Sequence, residues 1–181
     1  MRNIAVVVGS LRRDSINKKL ARNIMSIGSD MFKFTLADLS DVPLLNQDLE
    51  DNLPKPVVDF KKVIADADGV ILVTPEYNRS IPAVMKNAVD WASRPYGHNL
   101  WQGKPVAMCG IAPGPVGTAT AQAHLRSVLG MLGAAMSCQP EVYLQDTEGL
   151  FNEQGVITSE RSIKFLRRFL ESFAAWMDKL D

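Results

Sequence analysis

Cysteine is scarce in this chain of 181 residues: Cys109 and Cys138 are the only two. Two thiols make no disulfide framework for a domain of this size. That excludes a stapled secreted scaffold and points to a reducing, cytoplasmic setting. Both cysteines lie in apolar, strand-like context and are expected to be buried small hydrophobes. Net charge is missing as well, because 20 Lys and Arg balance 20 Asp and Glu. No overall basic field favours nucleic acid or an anionic membrane, and nothing electrostatic opposes self-association. The two histidines, His98 and His124, have no second ligand at metal spacing, so both are read as structural or solvated. No apolar run approaches the ~20 residues of a membrane span, and no charged-then-apolar leader opens the chain. Also missing are a catalytic triad, a carboxylate pair, the GxxxxGK[ST] loop and the GxGxxG fingerprint, so no catalytic side chain is named.

What is present is a hydrophobic fraction of 46%, enough for a packed core, arranged as strand patterns alternating with helix patterns. Ile4–Gly9, Gly69–Thr74 and Pro105–Ala112 are short continuous apolar runs, as strands buried on both faces require. Phe32–Leu39 partly alternates and suits an outer strand. Met136–Leu144 is the last strand expected. Helical spacing marks Ser15–Met25, Val57–Ala67, Pro82–Trp91, Thr118–Leu132 and Thr158–Leu180, and Asp41–Lys55 reads as a surface loop. Strand-helix-strand repetition dictates parallel pairing with right-handed crossovers. The expectation is a single α/β domain over 1–181: a flavodoxin-like three-layer sandwich with a five-stranded parallel sheet of order 2-1-3-4-5 and helices on both faces.

In such sheets a ligand lies beyond the carboxyl ends of the strands, at the point where strand order reverses. That point falls between the first and third strands, and the two loops there are chemically marked. The first is GSLRRDSIN, from Gly9 to Asn17. Gly9 permits a tight turn. Ser10, Ser15 and Asn17 offer short hydrogen-bonding groups, and Arg12 offers a bidentate charge. The helix that follows opens with free N–H groups and a positive dipole end. A terminal phosphate suits this set, which favours a mononucleotide over a dinucleotide. The same residues also make an ordinary helix cap, and Arg13 and Asp14 read as exposed. The second loop, TPEYNRS, ends an apolar strand at Pro75. Its amides, with Tyr77 and Asn78, suit the edge and face of a flat heteroaromatic ring; a surface turn is the plainer alternative.

Taken together, GSLRRDSIN, TPEYNRSIPAVMKNAVDWASRP and GKPVAMCGIAPGPVGTATAQAHLRSVLG resemble the NADPH-dependent FMN reductase family over roughly residues 4–145. Within it, SRPYG and HLRS look most like the bacterial chromate and quinone reductase branch. The resemblance implies bound FMN, NAD(P)H as electron donor, and ping-pong transfer to quinones and other soluble acceptors, chromate and nitro or azo compounds included. It implies that Ser10, Arg12, Ser15 and Asn17 hold the FMN phosphate, with Ile16 also in the cofactor site. Pro75, Glu76, Tyr77 and Asn78 then line the ring with Ser80 in support. Ala112, Pro113, Gly114 and Gly117 close over it, although Pro113 and Pro115 each remove a donor from that loop. Arg79 and Arg94 are the candidates for an anionic acceptor or the NADPH 2′-phosphate. The family's dimers and tetramers imply an interface along the helix Ala83–Trp91 and the loop Ser93–Trp101, where Trp91, Tyr96 and Trp101 are either anchors or core. Two further readings compete. A flavodoxin-type electron carrier without NADPH turnover is usually acidic, unlike this chain. A dehydrogenase-type enzyme would use Asp38 to grip a ribose, yet lacks the glycine fingerprint.

Overall fold

A computed structural model describes residues 1–180. In chain order the elements are β1 (Arg2–Val8), α1 (Ile16–Ile27), β2 (Phe32–Leu36), α2 (Lys55–Ala65), β3 (Gly69–Val73), α3 (Ala83–Ala92), β4 (Pro105–Ala112), α4 (Ala119–Met131), β5 (Ala135–Met136), β6 (Val142–Gln145) and α5 (Glu160–Met177). A single 3₁₀ turn, Gln47–Leu49, lies in the long loop after β2. All pairings between these strands are parallel. The sheet order is β2-β1-β3-β4-β5, and β6 also pairs with β4. This is the expected flavodoxin-like sandwich.

Side-chain alternation along the central strands feeds two separate cores. Ile4, Val6 and Val8 of β1, with Ile71 and Val73 of β3, pack against α1 and α5. Ala5, Val7, Val70 and Leu72 point the other way, against α2, α3 and α4. Both faces of β1 and β3 are therefore apolar, which is why these strands read as continuous hydrophobic runs.

The last expected strand, Met136–Leu144, is in fact two. β5 holds the edge at Pro105 and Val106 of β4, and β6 holds it at Cys109–Ala112. Between them lies Pro140, which has no N–H to give to a ladder. Cys138 falls in this interruption and is exposed, against the expectation that both thiols are buried. Cys109, at the centre of β4, is fully buried, and burial alone pushes its thiol far above the ordinary range. Trp91 and Trp101 are wholly buried, with their indole N–H groups donating to Pro43 O at 2.8 Å and Val89 O at 2.9 Å. They are core residues, whereas Tyr96 is 91% exposed. The loop after β2 is tied to α3, because Asn87 accepts from Leu45 N and donates to Pro43 O, each at 2.8 Å.

Candidate active site

Three loops leave the carboxyl edge of the sheet side by side: residues 9–15 after β1, 74–82 after β3 and 113–118 after β4. The first is set by close packing. Gly9 N donates to Val73 O at 2.9 Å, prolonging the β1–β3 ladder by one residue. A Cβ at Gly9 would stand 3.0 Å from Met85 Cβ and 3.3 Å from Pro75 Cδ. The glycine is thus favoured by the close approach of α3 and the second loop; its φ is not in the left-handed region. Ser15 is the N-cap of α1, although its Oγ accepts from Lys18 N at a long 3.4 Å.

Asn17, expected to offer its side chain to a phosphate, spends it on the fold. Its Nδ2 donates to Ile111 O at 2.8 Å, and its Oδ1 accepts from Ile111 N at 3.1 Å. This two-point clasp pins the first turn of α1 to the end of β4. What Asn17 can still give a ligand is its amide, which with that of Ile16 has no helical acceptor. Ser10 is buried, and its hydroxyl has no partner among the described residues. Arg12 is exposed and forms no ion pair among them.

The second loop turns through a two-residue hairpin. Tyr77 and Ser80 exchange both backbone hydrogen bonds, at 3.1 and 2.9 Å. Asn78 and Arg79 occupy its corner at φ 50° and 60°, the left-handed pair of a type I′ turn. Asparagine tolerates that conformation well and arginine less so, so this corner is held against a local cost. Glu76 does the holding. Its side chain is only 6% exposed. Oε2 accepts from Thr120 N at 2.9 Å and Ala121 N at 3.0 Å, and Oε1 from Arg79 at 3.2 Å. Thr118, the N-cap residue of α4, makes no side-chain cap bond. Glu76 supplies that cap from 44 residues away, with the anion placed where the helix dipole favours it. Ser80 Oγ meets His124 Nδ1 at 3.0 Å, a second link from this hairpin to α4.

The third loop is fixed by two glycines. A Cβ at Gly110 would lie 2.1 Å from Thr74 O and 2.3 Å from Thr118 Oγ1. At Gly117, φ is +59° and a Cβ would lie 2.9 Å from Leu144 O. Gly117 therefore faces β6, and Gly114 is exposed.

The three loops enclose a cleft of about 210 Å³. Ser10, Arg12, Ser15, Ile16 and Asn17 line one end. Pro75, Glu76, Tyr77, Ala112 and Pro113 line the other, together with Ile111, which sequence reasoning did not single out. Asn78, Arg79, Ser80, Gly114 and Gly117 do not line it. Arg94 is not brought to it either: its Nε donates to Glu50 at 2.6 Å, and its carbonyl accepts from Lys61. His124 was also missed as a site neighbour. The HLRS stretch marked it, but nothing local showed that the helix face would turn to Ser80. The cleft has a polar, partly cationic end and a flatter end of proline, tyrosine and alanine. It can take an elongated anion with a planar group.

Residues 2–148 match the family model described as NADPH-dependent FMN reductase. The chain is similar to a 2-hydroxy-1,4-benzoquinone reductase of a Burkholderia species, 49% identical over 174 residues, covering 96% of this chain and 95% of the relative. A quinone reductase of Pseudomonas putida is 38% identical, covering 97% and 94%. Among solved structures, the flavoenzyme NAD(P)H:(acceptor) oxidoreductase FerB from Paracoccus denitrificans superposes with a TM-score of 0.94 at 42% identity, covering 99% of this chain and 98% of that one.

Proposed function

The chain belongs to the NADPH-dependent FMN reductase family, and on that premise we propose that it is an FMN-dependent NAD(P)H:quinone oxidoreductase working from the three-loop cleft. The relatives named for quinone reduction support the acceptor class. The observation that carries the site is the set of uncommitted groups at the cleft's polar end: the Ser10 hydroxyl, the Arg12 guanidinium and the first-turn amides of α1.

These groups fit a terminal phosphate. Ser10, Ser15 and the amides of Ile16 and Asn17 donate to it, and Arg12 adds charge. The ring would then lie along Pro75, Glu76, Tyr77, Ala112 and Pro113, with Tyr77, half exposed, as its outer wall. Asn78 and Ser80 hold the hairpin in shape without lining the cleft. Gly114 and Gly117 shape the third loop. FMN held there would supply the redox chemistry, linking hydride donation by NAD(P)H to reduction of the acceptor in a ping-pong cycle over one ring face. The chain's own work is to bind, orient and shield, and no side chain is assigned a proton-transfer step.

Arg79, exposed at the hairpin corner, is placed to meet an anionic part of NADPH or of an acceptor. Arg94 reaches such a group only by leaving Glu50. Chromate, nitro and azo compounds are adventitious acceptors in this reading. Tyr96 is the exposed anchor left for a homodimer or homotetramer, since Trp91 and Trp101 are committed to the core. The setting is cytoplasmic; among the described residues no helix is long and apolar enough to cross a membrane.

The test is anaerobic. The FMN-loaded protein is mixed with NADH or NADPH and its visible bands are followed, then a benzoquinone is added. Bleaching within seconds and recovery with the quinone are expected. Bands that persist until dithionite is added would replace the reductase with a flavodoxin-type carrier.

A further inference from the structure

Positive charge gathers at one place on this balanced chain. Arg12, Arg13, Lys18, Lys19 and Arg22 fall between positions 12 and 22, with Asp14 as the only acid among them. None of the five forms an ion pair among the described residues. The opposite layer is arranged otherwise. There Lys55, Lys62 and Lys86 each pair with an acid one turn on, Asp59, Asp66 and Asp90.

Lys18, Lys19 and Arg22 lie on the outward side of α1, away from its buried Asn17, Leu20, Ala21 and Ile24. This placement costs the helix stability. Cations suit the last turn of a helix, yet the first turn of α1 has no acid, Lys18 stands in it, and the last turn has no base. Lys18 and Arg22 are also like charges at i,i+4. Lys18 Nζ donates to Leu11 O at 3.2 Å, and Lys19 Nζ sits 5.8 Å from the centroid of the Phe151 ring. Neither contact neutralises a charge. Asp38 faces Lys18 across a cleft, beyond ion-pair distance. Beside these cations stand two aliphatic side chains the core does not use. Leu11 and Leu36 are each 52% exposed and line the cleft that Lys18 also lines.

We propose that this face docks the protein on an anionic phospholipid bilayer, with Leu11 and Leu36 entering the interface and Arg13, Lys18, Lys19 and Arg22 lying over the headgroup phosphates. Arg12 belongs to the cleft in the reading above, and the surface needs only the other four. Two observations choose this occupant. Unpaired cations beside exposed leucines are what an interfacial helix needs, because charge brings it to the surface and apolar area holds it there. The exposed apolar groups are aliphatic, so they offer no ring on which a nucleic-acid base could stack. Docked in this way, the first loop lies at the bilayer surface, where lipid-soluble quinones partition. That consequence, unlike the docking, rests on the quinone reading of the cleft.

The test is co-sedimentation of the purified full chain with vesicles. One set is phosphatidylcholine alone, and the other contains about one-third phosphatidylglycerol. Binding to the anionic vesicles alone is expected, with release as salt rises from about 0.05 M to about 0.5 M. Arg13→Gln with Arg22→Gln should weaken the partition about thirtyfold, the worth of two cations. Lys55→Gln with Lys62→Gln removes the same charge from the opposite layer and should leave it unchanged. Leu11→Ser should weaken binding at every salt concentration. No binding to anionic vesicles, equal binding to both sets, or equal loss in the two double variants would overturn the docking. Tighter binding to a DNA duplex than to the vesicles would give the face to a polyanion and overturn it as well. The vesicle assay needs no flavin, so its failure leaves the reductase reading standing, and failure of the anaerobic flavin test leaves the docking standing.

Discussion

Asn17 and Arg12 stand five residues apart in one loop-helix segment and have opposite duties. Asn17 is buried and satisfies both backbone groups of Ile111. Asn17→Ala leaves those groups unpaired in a dry place, and each costs about 1–3 kcal/mol. Urea unfolding of the apoprotein should show a loss of roughly 2–6 kcal/mol on that scale. Arg12 is exposed and supports nothing else in the fold. Arg12→Ala should leave apoprotein unfolding unchanged and raise the Kd for FMN by roughly ten- to a hundredfold, the worth of one charge-assisted contact. Arg79 offers a third contrast. A charge contact remote from the hydride binds ground and transition states alike, so Arg79→Ala should raise KM for NADPH more than it lowers kcat. Steady-state kinetics at varied NADPH would check this, and an unchanged KM would remove the role.

At the scale of elements, α4 is capped by the hairpin after β3 rather than by its own N-cap. Glu76→Gln keeps one acceptor and loses the charge, so the amides of Thr120 and Ala121 should exchange with deuterium faster. The stability loss should be about 1 kcal/mol, typical of a cap. FMN binding should weaken with it, because the hairpin and the third loop lose their tie. Unaltered exchange at those two amides would show that the cap is dispensable. The turn after α1 is tied to α5 by Asp30 and Arg167, two parallel contacts of 2.7 Å each. The Arg167 guanidinium, through that hydrogen bonding, holds the Asp30 carboxyl below its ordinary range. A carboxyl lowered in the folded state stabilises above its unfolded pKa, about 3.9, and that contribution is lost as pH falls through the native value. Asp30→Asn should therefore lower Tm slightly at pH 7, and the difference from the parent should vanish in strong acid. Thermal scans across pH would show a gap that closes only downward.

For the whole molecule, the sheet edge behaves as one assembly in which three loops come from three strands. A flavin that touches all three binds the native state only. At a free concentration of 100 Kd, FMN should therefore stabilise the protein by about 2.7 kcal/mol, and the unfolding midpoint should climb with ligand concentration. A midpoint indifferent to FMN would mean that the loops do not share a ligand.

The order of elements was determined by the sequence itself. Ile4–Gly9, Gly69–Thr74 and Pro105–Ala112 are apolar on both faces, and such strands are stable only with helices on each side and parallel neighbours. The two marked loops then had to emerge together at one edge. The phosphate-type residues were legible for the same reason, since Ser10, Arg12 and Ser15 are adjacent in the chain. Tertiary structure decided whatever depends on a distant partner. It gave the Asn17 side chain to Ile111, 94 residues away, and Glu76 to the start of α4, 44 residues away. It buried Trp91 and Trp101 and left Tyr96 in the open. It also broke the last strand at a residue without an N–H, which exposed Cys138. Local pattern reports which face of an element is apolar. Which polar atom meets which is fixed only when the crossovers bring separate loops to the same edge.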